Sequence, residues 1–299
     1  MSIDDPVVIT CSISGAIANR EQCPAIPYTP QEYAAEARRI VDEGGVMIHI
    51  HARKPDGTPS YEVEDFQAIS DAIRAEVGEA VIVNFSTGTI GVPVAKRIEY
   101  LRACRPEVAA LNMGSMNYAK YSRSRKAFVF NMVFQNPFDE IIELLGAMNE
   151  LDIKPEHECF DIGHVGSLAP LIDMGVLHTP LHVDCVMGVM GGIPAGALNL
   201  AAMVANIPTT SSGGGARSHW GVIGISREQW MLVGAALALG GSIRVGLEDN
   251  LYLPNGEMAR SNGELIAKAR EMTESVGRRP ASVEEARRML ALSPRELRA

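Results

Sequence analysis

The chain has 299 residues, enough for two average domains of about 150 residues or for one large α/β barrel of about 250. It carries 27 basic against 36 acidic residues, and a net charge of −9 repels a polyphosphate backbone, which argues against nucleic-acid binding as its main task. With 46% hydrophobic and 21% charged residues it can bury a large core, so global disorder is excluded.

The first residues, Met-Ser-Ile-Asp-Asp-Pro, lack the basic and apolar regions of a signal peptide. Five scattered cysteines, Cys11, Cys23, Cys104, Cys159 and Cys185, include no C-x-x-C pair. Together these features predict reduced thiols, no disulfide framework and a cytoplasmic protein.

Along the chain, short β-branched runs predict strands over 7–12, 46–51, 81–86, 109–113, 157–162, 181–187, 220–225 and 242–247. Helical patterns lie between and after them, over 30–43, 62–77, 92–103, 138–150, 167–174, 195–205, 227–239 and 263–274. Most helices start near a Thr, Ser, Asn or Pro, as at Thr29-Pro30, Asn136-Pro137 and Ser226. The uncharged stretch 185–216 is long enough to span a bilayer, but Gly188, Gly191, Gly192, Pro194, Gly196 and Pro208 interrupt it. About a dozen helical residues remain, short of the ~20 a span requires, so no membrane association is expected.

Eight strand–helix pairs in strict alternation predict a closed parallel (β/α)₈ TIM barrel, since an open doubly wound sheet usually stops at five to seven strands. Residues 1–299 are read as one barrel domain. Residues 280–299 form its C-terminal helical extension, helical over 283–292 and placed outside the barrel or on a neighbouring subunit.

In such a barrel the working residues sit at the C-terminal ends of strands. The second strand ends His49-Ile50-His51-Ala52-Arg53, and strand alternation puts both imidazoles on one face. They could share a divalent metal or simply be a hydrogen-bonded pair. The last strand ends Arg244-Val245-Gly246-Leu247-Glu248-Asp249-Asn250. With strand one between strands eight and two, Glu248 could complete a His₂Glu site with an open coordination position, as in catalytic zinc sites. Asp249 is then a candidate general base, oriented by Arg244, although Glu-Asp alone could also be a solvated turn. Ser86-Thr87-Gly88-Thr89, after strand three, could offer hydroxyls and backbone N–H groups to a carboxylate, and Asn112 at the end of strand four could line the same pocket.

The other histidines are less telling. His164 could touch substrate, His178 and His182 read as structural, and His219 is ambiguous. Gly213-Gly214-Gly215-Ala216-Arg217 has the look of a phosphate cradle without a Walker lysine, and is read as a mobile loop near an anionic cofactor.

These residues resemble the β-keto acid cleavage enzyme family over nearly the whole chain. The resemblance is carried by Gly15-Ala16, the run 24–29, His49-Ile50-His51-Ala52-Arg53, Asn84-Phe85-Ser86-Thr87-Gly88, Phe160-Asp161 with Gly163-His164, and the run 240–250. It implies a zinc-dependent (β/α)₈ enzyme converting a β-keto acid and acetyl-CoA into acetoacetate and a new acyl-CoA by Claisen and retro-Claisen steps. By the same resemblance His49, His51 and Glu248 would hold Zn²⁺, Asp249 would remove the acidic proton, and Ser86 and Arg244 would position base and substrate. A homo-oligomer, by resemblance a tetramer, is implied as well.

Two departures concern the substrate tail. Where the aminohexanoate-cleaving type of the family has an acidic residue after Gly-Ala, this chain has Ile17; and the family's Ser-Thr-Gly-Gly loop reads Ser86-Thr87-Gly88-Thr89. Ile17 favours a neutral tail, whereas Glu158, Arg20 or His164 could favour a charged one. A metal-dependent barrel hydrolase is the alternative enzyme, although those commonly carry His-x-His on the first strand. A non-enzymatic metal-binding protein would leave Asp249, Arg244 and Ser86 without a task.

Overall fold

The computed structural model describes residues 2–209 and 217–293. Eight parallel strands close into a barrel: β1 (Ile9–Ser12), β2 (Met47–Ile50), β3 (Ile82–Ser86), β4 (Val108–Asn112), β7 (Lys154–Cys159), β8 (His182–Met187), β9 (His219–Gly224) and β10 (Ser242–Val245). An antiparallel hairpin, β5 (Met116–Ser122) and β6 (Ala127–Phe134), is inserted after β4 and forms a two-stranded sheet of its own. The strands read as apolar runs because a parallel sheet wrapped by helices is covered on both faces. Every residue of β1, β2, β3, β4, β8, β9 and β10 is buried.

The outer helices include α1 (Pro30–Asp42), α2 (Val63–Val77), α3 (Val94–Cys104), α4 (Phe138–Glu150), α5 (Ile162–Gly166), α6 (Leu168–Asp173), α7 (Ala197–Ala205), α8 (Gln229–Ala238) and α9 (Asn262–Ser275). Thr29 caps α1 through a reciprocal capping box with Glu32, and Pro30 sits where its missing N–H costs nothing. α1 turns Tyr33, Ala37 and Ile40 onto the barrel.

The expected fifth strand at 157–162 lies three residues earlier. In β7 two inward-facing carboxylates, Glu156 and Glu158, replace the apolar pattern a strand search relies on. The expected helix at 167–174 is α6, and a further short helix, α5, precedes it; α5 is capped by Asp161, whose Oδ1 accepts from Gly163 N–H at 3.0 Å. Among the described residues no helix is long and apolar enough to cross a membrane.

The C-terminal segment folds back across the floor of the barrel. Ala281 pairs with Val7, and α10 (Val283–Met289) places Ala286, with Leu290 just beyond it, against Val8, Val46, Met47, Ile82 and Val108 at the starts of the first four strands. Arg287 grips Glu107 from α10, with Nε at 2.8 Å. That apolar plug closes the floor, so the mouth is the open end.

Candidate active site

At the mouth, β1 stands between β2 and β10, with Ser12 level with His49 and Cys11 level with Val245. His49 Nε2 lies 3.8 Å from Glu248 Oε2, and His51 Nε2 lies 3.4 Å from Glu248 Oε1. Three local devices hold these groups. The Arg53 guanidinium donates to the carbonyls of Gly15 at 2.9 Å, Ser14 at 3.0 Å, Ala18 at 2.6 Å and Gly57 at 2.7 Å, tying the loops after β1 and β2 together. Asn262, at the start of α9, accepts from Leu247 N–H at 3.0 Å and donates to the Ile13 carbonyl at 3.1 Å. Gly246 has φ +151°, and a Cβ there would meet the Ser12 carbonyl at 2.1 Å, so only glycine lets the chain turn toward Glu248.

Arg244 is the hub. Its Nε and Nη2 donate to the two oxygens of Asp249, each at 3.0 Å; Nη1 donates to Glu158 at 3.0 Å, and Nη2 also reaches Glu248 at 2.9 Å. Buried with three carboxylates around it, the guanidinium keeps its proton far above the ordinary range despite the burial that opposes it. Burial likewise pushes Asp249 up to about 6 against the pull of Arg244, and Glu158 up to about 8. In Glu248 burial pushes the same way, but Arg244 and the two histidines win and hold the carboxyl well below its usual range. His49, buried and facing Arg244, is held neutral. A neutral imidazole is the form that binds metal.

Among the described residues three groups bring possible ligand atoms within 4.8 Å of one another: His49, His51 and Glu248; His49, Glu156 and Glu158; and Glu156, His182 and Asp184. All three members of the first group line the cavity of about 170 Å³ at the mouth, so an ion they held would be reachable by substrate. His49 Nδ1 and Glu248 Oε2 are buried without a hydrogen-bond partner, and three carboxylates share one guanidinium. A divalent cation at the first group would satisfy the orphaned Glu248 oxygen and offset negative charge there. His49 Nδ1 faces Glu156 at 3.9 Å, and Asn84 donates to the same Glu156 oxygen at 2.6 Å, an outer layer that would orient the imidazole.

Of the remaining expected residues, Ser86, Gly88, Thr89, Asn112, Ile17 and Glu158 line the cavity. Thr87 does not: its hydroxyl donates to the Ala110 carbonyl, away from the opening. A Cβ at Gly88 would lie 2.9 Å from Asn112 Nδ2, so glycine lets the loop close over the polar wall. No hydrogen bond joins Ser86 to Asp249 among the described residues; Ser12 Oγ, on β1, donates to Asp249 Oδ2 at 2.6 Å. Arg20 is committed elsewhere, paired with Glu32 at 2.6 Å. His164 Nδ1 accepts from Phe160 N–H at 3.3 Å, and the ring packs where a Cβ on Gly114 would be, outside the cavity lining. His182 and His219 are buried in the barrel, and His178 lies on the loop before β8. The glycine loop 213–216 lies outside the described residues. Arg217 precedes β9 and so stands at the end of the barrel opposite the mouth.

The hairpin supplies residues that the sequence reading missed. Tyr118 of β5 and Phe134 of β6 line the cavity beside Phe160. Their signal was present as period-two alternation at Phe128, Phe130, Met132 and Phe134, but strict strand–helix alternation left that segment as loop.

The profile of BKACE, beta-keto acid cleavage enzyme, matches residues 6–292, and the chain belongs to that family. It is 34% identical over 289 residues to the 3-keto-5-aminohexanoate cleavage enzyme of Acetoanaerobium sticklandii, covering 97% of this chain and 99% of that one. Identity is 35% over 306 aligned residues to the 3,5-dioxohexanoate:acetyl-CoA acetone transferase of Paraburkholderia graminis, covering 98% and 97%. The solved structure of ObcA in a binary complex with oxaloacetate superposes with a TM-score of 0.73 at 20% identity, over 91% of this chain and 68% of that one, a likeness of fold.

Proposed function

We propose that the chain is a zinc-dependent β-keto acid cleavage enzyme, acting on a β-keto acid and acetyl-CoA to give acetoacetate and a new acyl-CoA. The observation that carries this reading is the convergence, on one cavity, of His49, His51 and Glu248 with an Arg244-clamped Asp249, in a chain of this family. Bound Zn²⁺ would supply Lewis-acid polarisation of the keto oxygen.

The chain's own residues do the rest. Asp249, held bidentately by Arg244 and singly by Ser12, presents a fixed carboxylate to the acidic carbon between the keto and carboxyl groups and takes its proton. Ser86, Thr89, Asn112 and the Gly88 backbone face the substrate carboxylate from the opposite wall. Phe134, Phe160, Val186 and Ile223 exclude water, which would otherwise compete for the carbanion equivalent. The carbanion attacks the acetyl thioester carbonyl and expels CoA thiolate, which adds to the former keto carbon. Cleavage of the original bond between that carbon and the α-carbon releases the acyl-CoA, and return of the proton from Asp249 to the α-carbon gives acetoacetate. All five cysteines are free, in keeping with a cytoplasmic setting, and a homo-oligomer, a tetramer by family resemblance, is part of the proposal.

The test is incubation of purified protein with a panel of β-keto acids, with and without acetyl-CoA, followed by mass spectrometry of the acyl-CoA products. Acetoacetate and a new acyl-CoA formed only when both are present is the expected result. Hydrolysis of substrate independent of acetyl-CoA would overturn the reading in favour of a barrel hydrolase.

A further inference from the structure

Residues 108–138 contain no Asp or Glu, yet carry Lys120, Arg123, Arg125 and Lys126 in a chain of net charge −9. All four lie at the tip of the β5–β6 hairpin and are exposed; none makes an ion pair among the described residues. A like-charged cluster held together without counter-charge repels itself, and an anion relieves that repulsion.

The root of this hairpin is in the cavity and its tip is not. Tyr118 and Phe134 line the cavity, while Lys120, opposite Phe130, shares the face of Tyr118 two residues farther out. Along that face runs an aromatic track: Phe160 to Phe134 at 6.1 Å, Phe134 to Tyr118 at 5.9 Å, Tyr118 to Phe130 at 6.0 Å with the rings nearly parallel. Beyond it Tyr121 and Phe128, both about half exposed, meet edge to face beside the basic turn. At ~3.3 Å per residue, Tyr118 and Arg123 are roughly 17 Å apart along the strand. The base is fixed, since Ala119 pairs with Met190 and Gly191 packs with no room for a Cβ against the Asn117 carbonyl.

We propose that the β5–β6 hairpin is the binding element for the nucleotide end of a CoA thioester. Lys120, Arg123, Arg125 and Lys126 take its 3′-phosphate and pyrophosphate, Tyr121 and Phe128 stack on the adenine, and the aromatic track carries the pantetheine arm to the cavity. A CoA thioester has this sequence of parts: a reactive acyl end, an extended, uncharged arm of comparable length carrying two amides, and a polyanionic purine nucleotide. This inference rests on the reading that the cosubstrate is a CoA thioester.

The experiment uses the full chain, wild type and Arg123→Ser/Arg125→Ser/Lys126→Ser, with thermal midpoints compared to establish folding. Calorimetry measures binding of CoA and of 3′,5′-ADP at low and high salt, and kinetics compare acetyl-CoA with acetyl-pantetheine, which lacks the nucleotide. The wild type should bind 3′,5′-ADP more weakly as salt rises. The triple variant should lose about tenfold or more in CoA affinity and in the ratio of kcat/KM for acetyl-CoA to that for acetyl-pantetheine. An unchanged ratio and CoA affinity in the variant would overturn the hairpin assignment while turnover still upheld the functional reading. So would an altered oligomeric state by sedimentation with CoA affinity intact, which would make the hairpin an interface between copies. Salt-sensitive 3′,5′-ADP binding lost in the variant, with no turnover of any β-keto acid, would support the hairpin site and sink the functional reading instead.

Discussion

The hydroxyl of Ser12 donates to Oδ2 of Asp249 at 2.6 Å, across the seam where β1 meets β10. Together with Arg244 it leaves the Asp249 carboxylate one orientation. A hydrogen bond to a charged group contributes about 1.5–3 kcal/mol. Ser12→Ala is therefore expected to lower kcat by roughly 10–100-fold with metal content unchanged. Ser86→Ala, which touches the substrate wall but not Asp249, should act mainly on KM for the β-keto acid. Steady-state kinetics on both variants check this, and a Ser12→Ala enzyme with wild-type kcat would show that Arg244 alone suffices.

Asp249→Asn keeps the shape of the side chain and removes its ability to accept a proton, so turnover should fall by several orders of magnitude while fold and metal remain. Arg244→Lys should be almost as damaging. One ammonium cannot reproduce donation to both Asp249 oxygens and to Glu158 and Glu248 at once, so the bidentate clamp on Asp249 is lost. Measuring kcat and bound metal in each variant separates loss of chemistry from loss of structure.

The barrel, the His-x-His motif and the Glu248-Asp249 pair were legible because each is local: β-branched runs, two-residue alternation and adjacency in sequence. Closure then brings β10 beside β1 and β2 without any further assumption. Ser12 was not legible, because its role depends on register between two strands more than 200 residues apart. β7 was displaced in the reading because its interior side chains, Glu156 and Glu158, are carboxylates, which erases the apolar signal. The hairpin was lost to an architectural rule: a segment inserted between two barrel strands has no slot in a strict βα count. Gly15-Ala16 was visible only as a pattern, and its physical reason appears in the fold.

That reason gives a metal prediction. Gly15 has φ +58°, and a Cβ there would lie 2.6 Å from Glu248 Cγ. Gly15→Ala should push Glu248 out of reach of the histidines and lower bound metal without unfolding the barrel. His49→Ala and Glu248→Gln should remove most of it directly. Elemental analysis of the purified proteins reads all three, and it identifies zinc in the wild type if the assignment holds. Full metal occupancy in both His49→Ala and Glu248→Gln would place the ion elsewhere in the barrel.

Acid stability should depend on a histidine remote from the substrate. Burial pushes His157 down to about 3, with Lys154 and His182 nearby adding to the shift, while its Nδ1 lies 2.7 Å from the His182 carbonyl. The unfolded chain takes up this proton near pH 6.5, but the folded chain refuses it until about pH 3. Its contribution is complete above pH 6.5 and declines on acidification at about 1.4 kcal/mol per pH unit until the folded value is reached. Glu156 and Glu158, raised to about 8 by burial, act in the opposite direction between about pH 8 and 4.5. The clean observable is thus the difference between wild type and His157→Phe. Urea midpoints at pH 7.5 and 5.0 should fall less on acidification in the variant, and equal slopes would mean that His157 is protonated in the native state.

The substrate tail is the last expectation. Ile17, 59% exposed, stands at the lip of the cavity and offers an incoming substrate only apolar surface. The carboxylate best placed to meet an ammonium, Glu158, already accepts from Arg244 at 3.0 Å, so a cationic tail would have to compete with a buried guanidinium. An ammonium desolvated without a partner is costly. A short neutral 3-oxo acid should therefore show kcat/KM roughly tenfold or more above that of an amino-bearing analogue of the same length. Ile17→Glu should narrow or reverse that ratio by supplying an unpaired carboxylate at the lip. A panel of β-keto acids assayed with acetyl-CoA on both proteins decides it. If the amino-bearing acid is the best substrate of the wild type and Ile17→Glu leaves the order unchanged, selectivity is set deeper in the cavity and Ile17 has no part in it.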